Sequence, residues 1–311
     1  MQKSIGIVYE HPQWFAPLFA ELERRGVEYD AIHAAELVFD PAEREQRYSL
    51  VVNRMSPSAA TRGNGRAIFH VLHYLEYLAE LGTPTLNGVD AYRVELSKAR
   101  QASLASRLGI RYPRTRVIDD AKRAAEAANG LQFPVLVKPN IGGSGAGIRA
   151  FGSVDELARA ELDLGLDGTA LVQEQLPAEG EAVVRIEILG GEFLYAIRLL
   201  LAPGSFNLCP ADYCELPGIA DGVSGRGLPV EAFEPPAALV EDAKRLLDAA
   251  GMDLGGVEYL VNARDGEAYF YDVNALSNFV ADAPNVVGFD PFVDLVDLIV
   301  ERSGARAAVA V

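Results

Sequence analysis

The chain has 311 residues, half of them hydrophobic, and carries 28 Lys and Arg against 44 Asp and Glu, a net charge of −16. Its length allows two domains or one large divided one, with enough apolar material for a core, which excludes a disordered chain. The negative charge opposes binding to a phosphate backbone or an anionic lipid surface, and no uncharged apolar stretch reaches the roughly 18 to 20 residues of a membrane span, so neither nucleic acid nor membrane is expected as a partner. Cys209 and Cys214 are too few for a disulfide framework, and the opening MQKSIGIVYEH lacks the apolar core and cleavage site of a secretion signal, so a cytoplasmic location is expected.

In chain order, a strand at Ser4–Tyr9, a helix from about Pro12 to Gly26 and a strand at Val27–His33 form a β-α-β opening, which favours a parallel sheet. A third strand at Ser49–Arg54 and a polar turn at Ser56–Gly65 precede a helix with Ile68, Leu72, Leu75 and Leu78 on one face. One helix is predicted over Asp90–Leu108, stopped by Gly109. Strand Arg114–Ile118, helix Asp120–Asn129, strand Pro134–Pro139, a glycine-rich loop, helix Val154–Leu162 and strand Thr169–Leu176 then make an α+β block. Gly190-Gly191 signals a hairpin, and a connection over Ala202–Pro236 is long enough to suggest a role covering substrate. A helix at Pro236–Ala250, a hairpin around Arg264-Asp265-Gly266 and a helix at Pro291–Arg302 complete the α/β chain.

Two stretches carry chemistry. In VLVKPNIGGSGAGI, Lys138 ends a strand and is followed by Gly142, Gly143, Ser144, Gly145 and Gly147, a loop whose bare backbone lets N–H groups approach phosphate oxygens. The lysine precedes the glycines, so neither the dinucleotide fingerprint nor the phosphate-loop pattern matches. Farther on, Asp272 and Asn274 share one face of a strand, and hairpin pairing can bring Glu258 beside them, a hard oxygen set suited to Mg²⁺, with Mn²⁺ as an alternative.

With those features in this order, the chain resembles the ATP-grasp superfamily, and within it the RimK-like and D-alanine:D-alanine ligase-like carboxylate-amine ligases. The match runs from about Lys98 to Phe279. The resemblance implies an N-terminal pre-ATP-grasp domain over 1–95, a small subdomain with the glycine loop over 96–180 and a C-terminal subdomain with the metal site over 181–311. It implies that Lys98 and Lys138 bind nucleotide phosphates, that Glu174, Gln175 and Leu176 face adenine, and that Glu181 binds the ribose. Glu258, Asp272 and Asn274 match the magnesium ligands, and Arg185 and Arg198 resemble arginines near the triphosphate and the reacting acyl group. The implied activity joins a small carboxylate to an amine through an acyl phosphate, releasing ADP and phosphate; a homodimer is compatible with it. Two departures stand out: Ala275-Leu276 replaces the family's Pro-Gly after the metal motif, and Ser97 stands where an acidic residue usually precedes the first lysine.

Arg54, at the end of the third strand, is expected to hold a substrate carboxylate, with Arg62 and Arg66 nearby. His70 and His73 lack a companion carboxylate pattern, and Cys209 and Cys214 lack the partners of a zinc site, so packing or surface roles are expected. The competing readings are a nucleotide-binding regulator without turnover, which would need no complete metal set, and a dinucleotide-dependent oxidoreductase, whose glycine fingerprint is absent from YEHPQWF.

Overall fold

The computed structural model describes residues 4–201 and 230–305. Cys209, Cys214 and most of the connection 202–236 lie outside the described residues. The chain opens with β1 (Ile5–Tyr9), α1 (Pro12–Arg24), β2 (Tyr29–His33), β3 (Leu50–Arg54), α2 (Gly65–Glu80) and β4 (Thr85–Leu86). The strands form the expected parallel sheet, in the order β2-β1-β3-β4. Its two faces are covered by helices whose apolar residues recur at helical spacing, Phe15, Leu18 and Leu22 on α1 and Ile68, Val71, Leu75 and Leu78 on α2. Between β3 and α2, where a polar turn was expected, Pro57–Arg62 winds into a 3₁₀ turn capped by the Ser56 side chain.

The single helix predicted over Asp90–Leu108 is two, α3 (Val89–Glu95) and α4 (Lys98–Arg107). Ser97 breaks it: its backbone is extended and its hydroxyl accepts the Arg100 amide, the usual competition of serine with a helix interior. Next come β5 (Thr115–Ile118), α5 (Ala124–Ala127), β6 (Val135–Pro139), β7 (Arg149–Phe151), α6 (Val154–Arg159) and β8 (Ala170–Glu174), building an antiparallel sheet ordered β5-β8-β6-β7. The short β7, after the glycine loop, carries no sequence signal of its own.

The last sheet is antiparallel, ordered β11-β10-β9-β12-β13, from β9 (Ala182–Leu189), β10 (Glu192–Leu200), β11 (Val230–Ala232), β12 (Leu254–Val261) and β13 (Ala268–Asn274). Helix α7 (Ala237–Ala250) lies on the face bearing Ile186, Val257 and Val273. Val183, Ile197 and Leu254, on the other face, share a core with α1 and with α9 (Pro291–Ser303), which follows the short α8 (Ala283–Val286). Both hairpins contain a bulge. In β10 the register slips at Leu194, between Phe193 and Tyr195, and in β13 at Tyr271, so that Tyr259 pairs with Phe270 but Glu258 pairs with Asp272. Among the described residues no helix is long and apolar enough to cross a membrane.

Candidate functional site

Because cross-strand partners share a face, the register Ile197–Arg185–Glu258–Asp272 sets three charged side chains in a row on the face turned away from α7, and Gly256 opposite Asn274 continues it. Without the bulge at Tyr271, Glu258 would pair with Tyr271 and point away from Asp272. A Cβ at position 256 would stand 2.4 Å from the Arg185 guanidinium, so a glycine there lets the arginine lie across the strand. Arg185 donates from Nε to Glu187 at 2.5 Å and from Nη1 to Glu258 at 2.9 Å, and all three are buried.

Lys98, the first residue of α4, reaches over this face and donates to Asp272 Oδ1 at 2.6 Å. Its position depends on Asn140, just past β6, whose carbonyl accepts the Lys98 amide and whose Oδ1 accepts the Ala99 amide and the Ser97 hydroxyl. Gln101 fastens the same helix to β13 by bonds in both directions with the Val273 backbone. Lys138, at the end of β6, is 4 % exposed and lies 5.8 Å from the centre of the Tyr112 ring. The glycine loop folds from β6 toward the N-terminal sheet, where a Cβ on Gly143 would lie 2.9 Å from Ser58 Cβ, and Ser144, Gly145 and Gly147 adopt positive φ.

These groups line one cavity of about 140 Å³, with Lys98, Lys138, Gly142, Gly143, Ser144, Gly145, Arg185, Glu258, Asp272 and Asn274 in its wall. Its size suits phosphate groups rather than a whole nucleotide, for which several hundred Å³ are usual. Glu258 and Asp272 bring two carboxylates together, and the Asn274 side-chain amide donates to Asp272 Oδ2 at 3.3 Å; among the described residues no third His, Cys, Asp or Glu completes a metal cage. That set fits Mg²⁺, which typically takes one or two carboxylates and leaves its other positions to phosphate and water.

The electrostatics follow from burial and crowding. Burial works to raise the pKa of Asp272, but Lys98 and Lys138 outweigh it and hold the carboxyl below its ordinary range. Glu258 goes the other way, raised by burial and by Asp272 against the pull of Arg185. Burial would lower Lys98, yet Asp272 keeps it raised. Lys138 is lowered from 10.5 to about 7, first by burial and then by repulsion from Lys98. A divalent cation between Glu258 and Asp272 would relieve the repulsion between those two carboxylates.

Glu95, absent from the sequence reading, also lines the cavity. It is the last residue of α3, accepts the Ala275 amide, and is raised from 4.5 to about 7, mainly by burial. Its place three residues before Lys98 was the available signal, obscured by reading one continuous helix. Since the fold binds this proton more tightly than the unfolded chain does, stability falls as pH rises from about 4.5 to 7 and the full penalty remains above 7. Glu95→Gln keeps the acceptor for Ala275 and is expected to gain roughly 1 to 3 kcal/mol at about pH 8 and almost nothing at about pH 4, read by urea titration at both pH values.

Other expected site residues lie elsewhere. Arg198 pairs with Val184, on the α7 face, where it is bound to Glu231 and stacked on Phe233. The bulge at Leu194 turns it there; in an unbroken register it would pair with Val183 and share the face of Arg185. Arg198, expected near the reacting group, thus lies on the opposite face of the sheet from Arg185. Arg54 is 1 % exposed and outside the cavity wall: it donates to the Ser277 carbonyl and lies 5.2 Å over Phe15, leaving Nε and Nη1 buried without hydrogen-bond partners among the described residues. Where a carboxylate-holding arginine was expected at the end of β3, the side chain is drawn into the core. Glu174, Gln175, Leu176 and Glu181 do not line the cavity. The Glu174 carboxylate accepts the Gln132 amide at 2.8 Å, and the amides of Glu174 and Gln175 bond to the carbonyls of Arg114 and Pro134. Glu181 is exposed with φ of 51°.

No family model matches the sequence. A D-alanine–D-alanine ligase from Geobacter sulfurreducens is 28% identical over 203 residues, 65% of this chain, and the chain spans 61% of that ligase. Among solved structures, the ATP-grasp ligase PsnB with a minimal precursor aligns over 97% of this chain and 100% of its own, with a TM-score of 0.66 and 18% identity. The D-alanine–D-alanine ligase of Bacillus anthracis complexed with ATP covers 97% of each chain, with a TM-score of 0.64 and 15% identity. The chain has the ATP-grasp fold, and in sequence it resembles D-alanine–D-alanine ligase.

Proposed function

We propose that this protein is an ATP-dependent carboxylate-amine ligase of the RimK-like kind, acting on an amino acid or another small carboxylate. The observation that supports the reading best is the convergence of Lys98, Lys138, the glycine loop and the Glu258–Asp272–Asn274 face on one buried cavity.

In this reading the γ-phosphoryl group passes from ATP to a substrate carboxylate oxygen, giving ADP and an acyl phosphate. The amine then attacks the acyl carbon, phosphate leaves with the C–O electron pair, and the amine gives up a proton. Lys98 and Lys138 neutralise charge on the phosphates while the amides of Gly142–Gly145 hold their oxygens. Glu258, Asp272 and Asn274 would hold Mg²⁺, which when bound draws the phosphate oxygens together and offsets their charge. Arg185, secured by Glu187, keeps Glu258 oriented at the cavity wall. Glu174, Gln175 and Leu176 would border adenine, and Glu181 the ribose. No nucleophilic Ser, Cys or Lys is needed.

The expected products are ADP and phosphate, released only with both a carboxylate and an amine present. Separation of nucleotides after incubation with Mg²⁺, ATP and panels of amino acids and small carboxylates tests this. AMP and pyrophosphate as the main products would refute the acyl-phosphate route.

A further inference from the structure

The N-terminal sheet carries a second cavity of about 780 Å³, lined by none of the residues assigned above to nucleotide or metal. All five residues of β2 line it, and among the described residues β2 is the sheet's edge, paired only with β1. Among the described residues, no strand lies beside the amides and carbonyls that β2 turns away from β1. Opposite stands the connection 34–49, without helix or strand, held against α2 by a bond between His70 Nε2 and the Leu37 carbonyl and by Gln46 donating to the Leu81 carbonyl. Connections this long without secondary structure are uncommon unless they serve binding.

Two further observations say what would fit. Asp30, Glu36, Asp40, Glu43 and Glu45 line the cavity against one guanidinium, Arg47, which Asp30 already engages at 3.3 Å. Among the described residues the other four carboxylates have no ion-pair partner. At the α2 side, Tyr74 is 5 % exposed and lines the cavity, yet its hydroxyl has no hydrogen bond among the described residues. That hydroxyl is not fully enclosed, so it is free to bond to a ligand in the cavity.

We propose that this cavity is a docking groove for an extended, Lys- or Arg-bearing peptide segment of another protein, laid along β2 as an added strand. The open edge supplies main-chain hydrogen bonds, as in other cases of strand addition. Alternate side chains of the segment reach the unpaired carboxylates, whose charge selects a basic sequence and repels an acidic one. Tyr74 bonds to the segment's backbone. The groove is separate from the ligase reading and stands whether or not that reading does.

The test is fluorescence anisotropy of a labelled alternating Lys-Val octapeptide with the full chain, at low and high salt. The peptide is expected to bind, and the combined variant Glu36→Gln, Asp40→Asn, Glu43→Gln, Glu45→Gln to lose at least ~10-fold in affinity. Tyr74→Phe should lose about 3-fold. A control that neutralises exposed carboxylates elsewhere, Asp155→Asn, Glu161→Gln, Asp248→Asn, Glu301→Gln, should bind as the parent does. N-methylation of alternate peptide amides, in one of its two phases, should abolish binding. Equal losses in groove and control variants, spermine competing as well as the peptide, or indifference to both methylation phases would each overturn the proposal, as would no binding at all.

Discussion

Asp272→Asn is expected to lower turnover by at least ~10³-fold and to destabilise the folded chain at neutral pH by about 3 kcal/mol. The first effect follows from its place in the hard-oxygen set, where an amide removes one of only two carboxylates facing each other across β12 and β13. The second follows from Lys98, whose ammonium is left in the site without its partner at 2.6 Å while Lys138 still repels it. Because the Asp272 pKa is lowered by the fold, its stabilisation is present above the ordinary value of 3.8 and is lost as pH falls through the lower folded value. Parent and variant should therefore converge in stability in acid and separate above about pH 5. Adding Lys98→Met to Asp272→Asn should recover stability without recovering activity, which separates the charge pairing from the chemistry. Retained turnover of Asp272→Asn at saturating Mg²⁺ would remove this residue from the proposed ligand set.

Lys138→Met is expected to trade activity for stability. The fold lowers Lys138 from 10.5 to about 7, so between those values the unfolded chain binds the proton more readily and stability rises with pH, with the whole penalty present below 7. Methionine keeps an unbranched side chain of similar length and carries no charge. The variant should be more stable than the parent by on the order of 2 kcal/mol at about pH 6 and by much less at about pH 10, while turnover drops ~10²- to 10³-fold. Denaturant titrations at both pH values, beside steady-state rates, check it. A variant less stable than the parent at the lower pH would mean that Lys138 is paired in a way that outweighs its burial. In the proposed ligase reading, this buried lysine, 5.8 Å from an aromatic ring, is the cost of holding a cation ready for phosphate.

Elements whose signals are local were legible from the residues alone. The apolar runs of β1 and β3, the strand-like β2 and the helices α1 and α2 follow from periodicity, and the hairpins at Gly190-Gly191 and around Asp265-Gly266 from turn chemistry. The common side of Asp272 and Asn274 follows from the alternation of a strand. Ser97 and Asn140, by contrast, matter through partners distant in the chain: one breaks a helix that composition alone would have continued, and the other ties the start of that helix to the end of β6. Which charges meet depends on strand register and on packing between distant elements. A single extra residue at Tyr271 turns Glu258 toward Asp272, and another at Leu194 turns Arg198 away from Arg185. A one-residue slip inverts the face of every side chain beyond it, and where a bulge sits is settled by how both faces of the sheet pack, α7 on one and the shared core of α1 and α9 on the other.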